Sequence, residues 1–452
     1  MTARLDPSAL SAGLNSLKKR EKATTEPEPT AGEGRATASS RRNFSLQTGD
    51  PSDIRRYQNY VQAFNIEKWL RQLGDATFET TIIPMSREDA EALLRCNVHE
   101  KEQNEEGESW SSSSLLPQLT EKLRTAMRAL MNAGESGVFV KTSSRSAKDF
   151  AEPAALRSVF LSKRGRMLGG GTGGGGRGGG GGGGGGGSDE NTDMIAMSYA
   201  SMELLKMQTP GQVMKIFNGS ERIWHDMKLA LACDDDSSRK GGDGDSEGGQ
   251  SSCWDESLAV RRWVAIEPDM EFRCFVCAGA LTAVSQYRHL LHFPRLVRYA
   301  PQLLRALQSF VEGTAAPRLH GLFPDDDYVL DLAVQLGASE GAESILLRAE
   351  AGGSGGSGSS SSAATAADAD DGGDSDGSGE LPITKVWAIE VNPFFETTDG
   401  ALYSWTKDAA VLTGSSRGDD DIDFRFRTQP AKGASSLMYG SWRDIMTAGR
   451  AV

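Results

Sequence analysis

The chain has 452 residues, room for two or three domains, but only 38% are apolar and 53 are glycine, so part of it cannot pack a core. Residues 234–256 hold eight acids against two bases and residues 351–380 hold six acids and no base, so nearly all of the −13 net charge sits in two segments; no basic surplus points to a nucleic-acid partner. No apolar run reaches 18 residues and MTARLDPSAL has no leader-like apolar stretch, so no membrane partner is expected, and five scattered cysteines suit a reduced, cytoplasmic compartment.

Residues 1–55 are rich in Ser, Thr, Glu, Arg and Pro without apolar periodicity and are expected to be disordered. The spacing over 57–75 predicts helix, FETTIIPM (78–85) a strand, and SREDAEALL a helix capped near Ser86 with acids in its first turn. Residues 116–134 read as an amphipathic helix ending at Gly134, and GVFVKTSS (137–144) as a strand running into a loop. The tract 168–188 is almost pure glycine. It contains GxGxxG by count, but follows no strand and opens no helix, so it reads as an insertion rather than a phosphate loop.

QVMKIFN (212–218) is expected as a strand, and 234–256 as an acidic loop. LAVRRWVAI (258–266), EFRCFVC (271–277) and ALTAVSQY (280–287) read as successive strands, and 295–313 as a helix. YVLDLAVQL (328–336) and KVWAIEVN (385–392) are strands split by a solvated insertion, 337–382. The Cys274–Cys277 pair has no second pair, so zinc is not expected. The whole reads as α+β with antiparallel-rich sheets in two lobes, 56–257 and 258–452.

Side chains alternate along a strand. One face of 328–336 is Tyr328, Leu330, Leu332 and Val334, which leaves Asp331 on the other. In 385–392 the expected apolar face is Trp387, Ile389 and Val391, which sets Glu390 and Asn392 opposite it. Two carboxylates and a carboxamide on one side of neighbouring strands suit Mg²⁺, a hard cation that binds through one or two carboxylates and the phosphates of a substrate. Lys141 ends a strand where its ammonium meets phosphates as a point charge, and the next loop, TSSRSAKD, carries Arg145 and Lys148. Glu271 and Arg273 share a strand face, as do Arg261 and Trp263 in the expected strand 258–266. No P-loop or HExxH motif occurs.

LAVRRWVAIEPDMEFRCFV, then AVSQY, then YVLDL and KVWAIEVNPFFETTDGALYSW resemble the cell division cycle protein 123 family. ETTIIPMS after Trp69, GVFVKTSSRSAKD and IFNGSERIWHD extend the resemblance in order from about 57 to 445. It implies a two-lobed ATP-grasp fold with ATP and Mg²⁺ between the lobes. It also implies a monomeric assembly chaperone that binds the gamma subunit of eukaryotic translation initiation factor 2 and promotes its joining to the alpha subunit, and so acts on translation initiation and cell-cycle progression. By position, Lys141, Ser146 and Lys148 would meet phosphate; Val260, Arg261 and Trp263 would line the nucleotide, mostly through backbone; Glu271 and Arg273 would complete the nucleotide site; and Asp331, Glu390 and Asn392 would hold the metal. Glu390 stands where the family usually has Asp, and Phe395 where Gly is usual. The alternatives are a catalytic ATP-grasp carboxylate ligase and a scaffold that binds its partner without nucleotide.

Overall fold

The computed structural model describes residues 51–98, 116–131, 137–169, 186–240, 254–337, 380–416 and 422–450. Residues 170–185 of the glycine tract, most of both acidic segments and residues 1–50 lie outside them. Among the described residues, α1 (Pro51–Gln62) begins inside the stretch expected to be disordered. α2 (Ile66–Leu73) follows a break at Ala63–Asn65, so the helix expected over 57–75 is two helices. The indole of Trp69 donates to the Phe64 carbonyl at the break, and the Asn65 amide to the Asp255 carbonyl.

β1 (Thr80–Pro84) leads into α3 (Arg87–Cys96), which opens on the expected cap. Ser86 accepts from the Asp89 amide while the Asp89 carboxylate accepts from the Ser86 amide, a reciprocal capping box. α4 (Pro117–Met131), β2 (Val138–Thr142), α5 (Pro153–Gly169), α6 (Gly186–Glu203), α7 (Pro210–Gly219) and α8 (Glu221–Lys240) complete the N-terminal half.

The strand expected at 212–218 is helix α7. Thr209 accepts from the Gln212 amide, Gln212 reaches back, and Pro210 sits at the first helical position, so local capping chemistry decides over the short apolar run. α5 and α6 flank the glycine tract. α6 is buried almost all round, from Asn191 to Ser198, and therefore shows no amphipathic stripe.

β3 (Ser257–Arg262), β4 (Glu271–Cys277), β5 (Ala280–Gln286), α9 (Pro294–Phe310), β6 (Tyr328–Leu336), β7 (Ile383–Pro393), β8 (Asp423–Arg425) and α10 (Gly440–Arg450) follow. The strands form two sheets, β1-β3-β2 and β7-β6-β4-β5-β8, antiparallel throughout except for β5 with β8. β3, expected to open the second lobe, is instead the central strand of the first sheet.

The faces of these sheets place the site. In the small sheet Val138, Val140, Leu258 and Val260 enter a core with α3, α4 and α7, while Lys141, Ala259 and Arg261 share the opposite face. In the large sheet Phe272, Cys274, Leu330, Leu332 and Val391 enter the main core with α9. Glu271, Arg273, Asp331 and Glu390 lie on the other face, which continues into a smaller aromatic core of Phe275, Phe394, Tyr403 and Trp405.

One expected alternation fails. Asp331 pairs with Glu390 but Leu332 with Ala388, so Ile389 is an extra residue in a β-bulge. Beyond it Ala388, not Trp387, faces the core, and Trp387 turns to the site's side, where it packs on Phe78 and donates to Gln335. Two carbonyls of the edge strand β7 at the bulge accept from outside the sheet. Arg261 Nη1 donates to that of Ile389 at 2.6 Å, and Thr77 Oγ1 to that of Ala388 at 2.6 Å. The irregularity thereby ties the small sheet to the large one.

Candidate functional site

Between the two sheets lies a buried charged cluster. Arg273 on β4 donates through Nε and Nη2 to both oxygens of its cross-strand neighbour Asp331, at 2.8 and 2.9 Å. This bidentate fork is the strongest arrangement open to the two groups. Asn392 Nδ2 donates to Asp331 Oδ2 at 3.2 Å. Glu390, directly opposite Asp331, receives the ammonium of Lys141 from the other sheet. The three side chains expected on one face are therefore together, and Lys141, only 3% exposed, spans the two sheets.

Lys148 lies 3.6 Å from Glu271 and 4.9 Å from the centre of the Tyr287 ring. Arg273 and Arg288 also approach that ring, and Arg288 is 3.4 Å from Glu271. Burial pushes the Glu390 carboxyl up, but Lys141, Lys148 and Arg145 outweigh it and hold the group at about 2. Burial raises the Asp331 carboxyl, and Arg273 pulls it back without fully offsetting the effect. For Lys141, burial lowers the ammonium more than Glu390 raises it.

Other expected residues are placed differently. Val260 points into the small-sheet core, and its backbone belongs to the central strand, paired on both sides. Trp263 lies past the end of β3, half-buried, so it shares no strand face with Arg261. Arg261 is committed to Thr77, Thr80 and the β7 bulge. Ser146 is buried within the loop after β2.

That loop is anchored to the α7–α8 corner. Arg145 Nε and Nη2 donate to Asp226 of α8 at 2.8 and 3.3 Å, and the Ser144 hydroxyl to the same carboxylate at 3.1 Å. Asp149 accepts from the Ser220 hydroxyl and the Arg222 amide at the start of α8. A carboxylate is favoured there by the unpaired amides of the helix N-terminus.

Asp331, Glu390 and Asn392 set two carboxylates and a carboxamide on one side of the ladder, oxygen-bearing groups of the kind a hard cation takes, with Asp331 paired to Arg273 and Glu390 to Lys141.

Residues 195–438 match the family model D123. The chain belongs to the D123 family. Among curated relatives it is 28% identical over 201 residues to Cell division cycle protein 123 of Phaeosphaeria nodorum, covering 44% of this chain and 37% of that protein. It is 23% identical over 202 residues to the Translation initiation factor eIF2 assembly protein of Xenopus tropicalis, covering 44% and 42%. The matched region thus spans about two fifths of those relatives' length. A solved Cdc123 from Schizosaccharomyces pombe aligns over 82% of this chain and 98% of its own, with 16% identity and a TM-score of 0.44. The D123 match takes in Arg261, Arg273, Asp331, Glu390 and Asn392, whereas Lys141 and Lys148 precede it.

Asp226, Tyr287, Arg288 and Glu256 were not singled out in the sequence, and nothing in local spacing marks them. Their roles come from tertiary contacts across the D123 fold. Glu256 is the least comfortable of them. Its Oε2 is buried with no hydrogen-bond partner among the described residues. Burial, then Asp226, Glu67 and Asp255, raise its carboxyl well above the ordinary range. In the unfolded chain Glu titrates near ~4.3. A folded pKa above that value means stability is lost as pH rises from the unfolded value through the folded one. Glu256→Gln should therefore match the parent below roughly pH 4 and exceed its Tm by about 2–4 °C at neutral pH. Calorimetric scans across pH check this, and equal Tm at neutral pH would contradict it.

Proposed function

We propose that this D123-family protein binds Mg²⁺-ATP between its two sheets and acts as an assembly chaperone for translation initiation factor 2, holding the gamma subunit, rather than as a turnover enzyme. The observation that carries the nucleotide reading is the Lys141–Glu390 contact across the sheets, set beside the Asp331–Arg273–Asn392 group. Asp331, Glu390 and Asn392 would hold the metal, which when bound offsets phosphate charge. Lys141 and Lys148 would meet the phosphates as point charges. Asp226 would fix the loop that bears Lys148, through Arg145 and Ser144. The assembly role is supported by the names of the relatives, one of which is called an eIF2 assembly protein.

A second reading, a scaffold that needs no nucleotide, draws on the same cluster, because both acidic side chains are already paired with cations. Retention of purified gamma subunit on the immobilised chain separates the two. The expected result is capture that weakens at least ~10-fold when Mg²⁺-ATP is omitted, a loss of about 1.4 kcal/mol. Capture indifferent to nucleotide and to Lys141→Ala would support the scaffold, and no capture would overturn the partner assignment.

A further inference from the structure

In the cluster Lys141 pairs with Glu390, Lys148 and Arg288 with Glu271, and Arg273 with Asp331. Every carboxylate already faces at least one cation. Lys141 is nearly fully buried and its ammonium rests on Glu390, one of the proposed metal ligands. Asp331 has both oxygens engaged by the Arg273 fork, a rigid pairing within one sheet. The Lys141 pairing differs in kind: it crosses from one sheet to the other and ends on four rotatable bonds.

We propose that Lys141 serves as an internal cation in the ligand-free protein, occupying the position of the divalent ion, so that metal enters only as its complex with a nucleoside polyphosphate. This rests on the nucleotide reading above and adds an order of events to it. A bare divalent ion would have to displace a buried ammonium from the carboxylate that it already neutralises. Desolvation and like-charge repulsion both oppose that step. A metal–triphosphate complex is net negative. Its phosphates offer the displaced ammonium a new partner, with Lys148 alongside on the loop after β2. The buried ion pair is exchanged rather than broken, and no charge is left alone in the interior.

Mn²⁺ is the probe, followed by electron paramagnetic resonance at neutral pH with the full chain. The wild type should bind Mn²⁺ at least ~10-fold more weakly without nucleotide than with a non-hydrolysable ATP analogue. Lys141→Met should gain at least ~10-fold in nucleotide-free Mn²⁺ affinity. Lys141→Gln, which keeps a neutral donor toward Glu390, repeats the test should the methionine variant fail to fold. Wild-type affinity for Mn²⁺ that is the same with and without nucleotide would overturn the proposal. So would folded variants that show no gain. A gain in the variants with no nucleotide binding by the wild type would leave the internal cation standing and sink the ATP reading instead.

Discussion

Arg273→Leu is expected to cost about 3–5 kcal/mol of folding stability, because it strands a buried carboxylate instead of deleting a salt bridge from the surface. Asp331 is 1% exposed, and the Arg273 fork supplies a donor to each of its oxygens, with only Asn392 Nδ2 beside it. Without the guanidinium, burial and the nearby Glu390 and Glu271 act unopposed on a carboxyl already raised. A carboxyl raised in the folded state destabilises progressively as pH rises through its folded value. The deficit should therefore be largest at neutral pH and shrink as pH falls. The double variant Arg273→Leu/Asp331→Leu removes both charges and should recover most of the loss, since a buried pair replaced by apolar groups is often neutral. Urea denaturation at two pH values measures all three. A single-variant loss under ~1 kcal/mol, the range of an exposed pair, would show the fork to be solvated.

Asp331→Asn is expected to weaken Mg²⁺-ATP binding by about 100-fold, or about 2.7 kcal/mol, and also to cost stability, because the Arg273 guanidinium stays buried beside a neutral amide. The amide oxygen can still accept from Arg273, but the anionic ligand is gone. ATP offered without divalent metal should bind the variant and the parent alike, because the lysines that meet phosphate are unchanged. Titration calorimetry with and without Mg²⁺ makes the comparison. A uniform loss in both conditions would mean that the substitution disturbed packing and not the metal position.

Much of this arrangement was legible in the sequence, for identifiable reasons. β4 and β6 run over the residues expected, since EFRCFVC and YVLDLAVQL are short apolar runs bounded by clear breaks. The Asp331, Glu390 and Asn392 grouping followed from alternation alone, because these residues lie on the near side of the bulge or opposite each other. Alternation failed beyond Ile389, where one extra residue reversed Trp387 and Ala388. A bulge has no signature in such a run. The carbonyls there accept from Arg261 and Thr77, contacts that only the folded chain brings together. At 212–218 the sequence does carry the signal for helix, since Thr209, Pro210 and Gln212 spell a helix start. α6 was hidden because a helix buried all round carries no periodic stripe. The pairing of Arg145 with Asp226, 81 residues away, cannot be read from spacing.

The most direct test is a crystal structure of the full chain grown with Mn²⁺ and a non-hydrolysable ATP analogue, with the metal located by its anomalous scattering. The expected result is an ion at about 2.0–2.3 Å from oxygens of Glu390 and Asp331 or Asn392, with the Lys141 ammonium moved onto the phosphates. A nucleotide bound elsewhere, or Lys141 still resting on Glu390 with manganese outside the cluster, would contradict the assignment of this cleft.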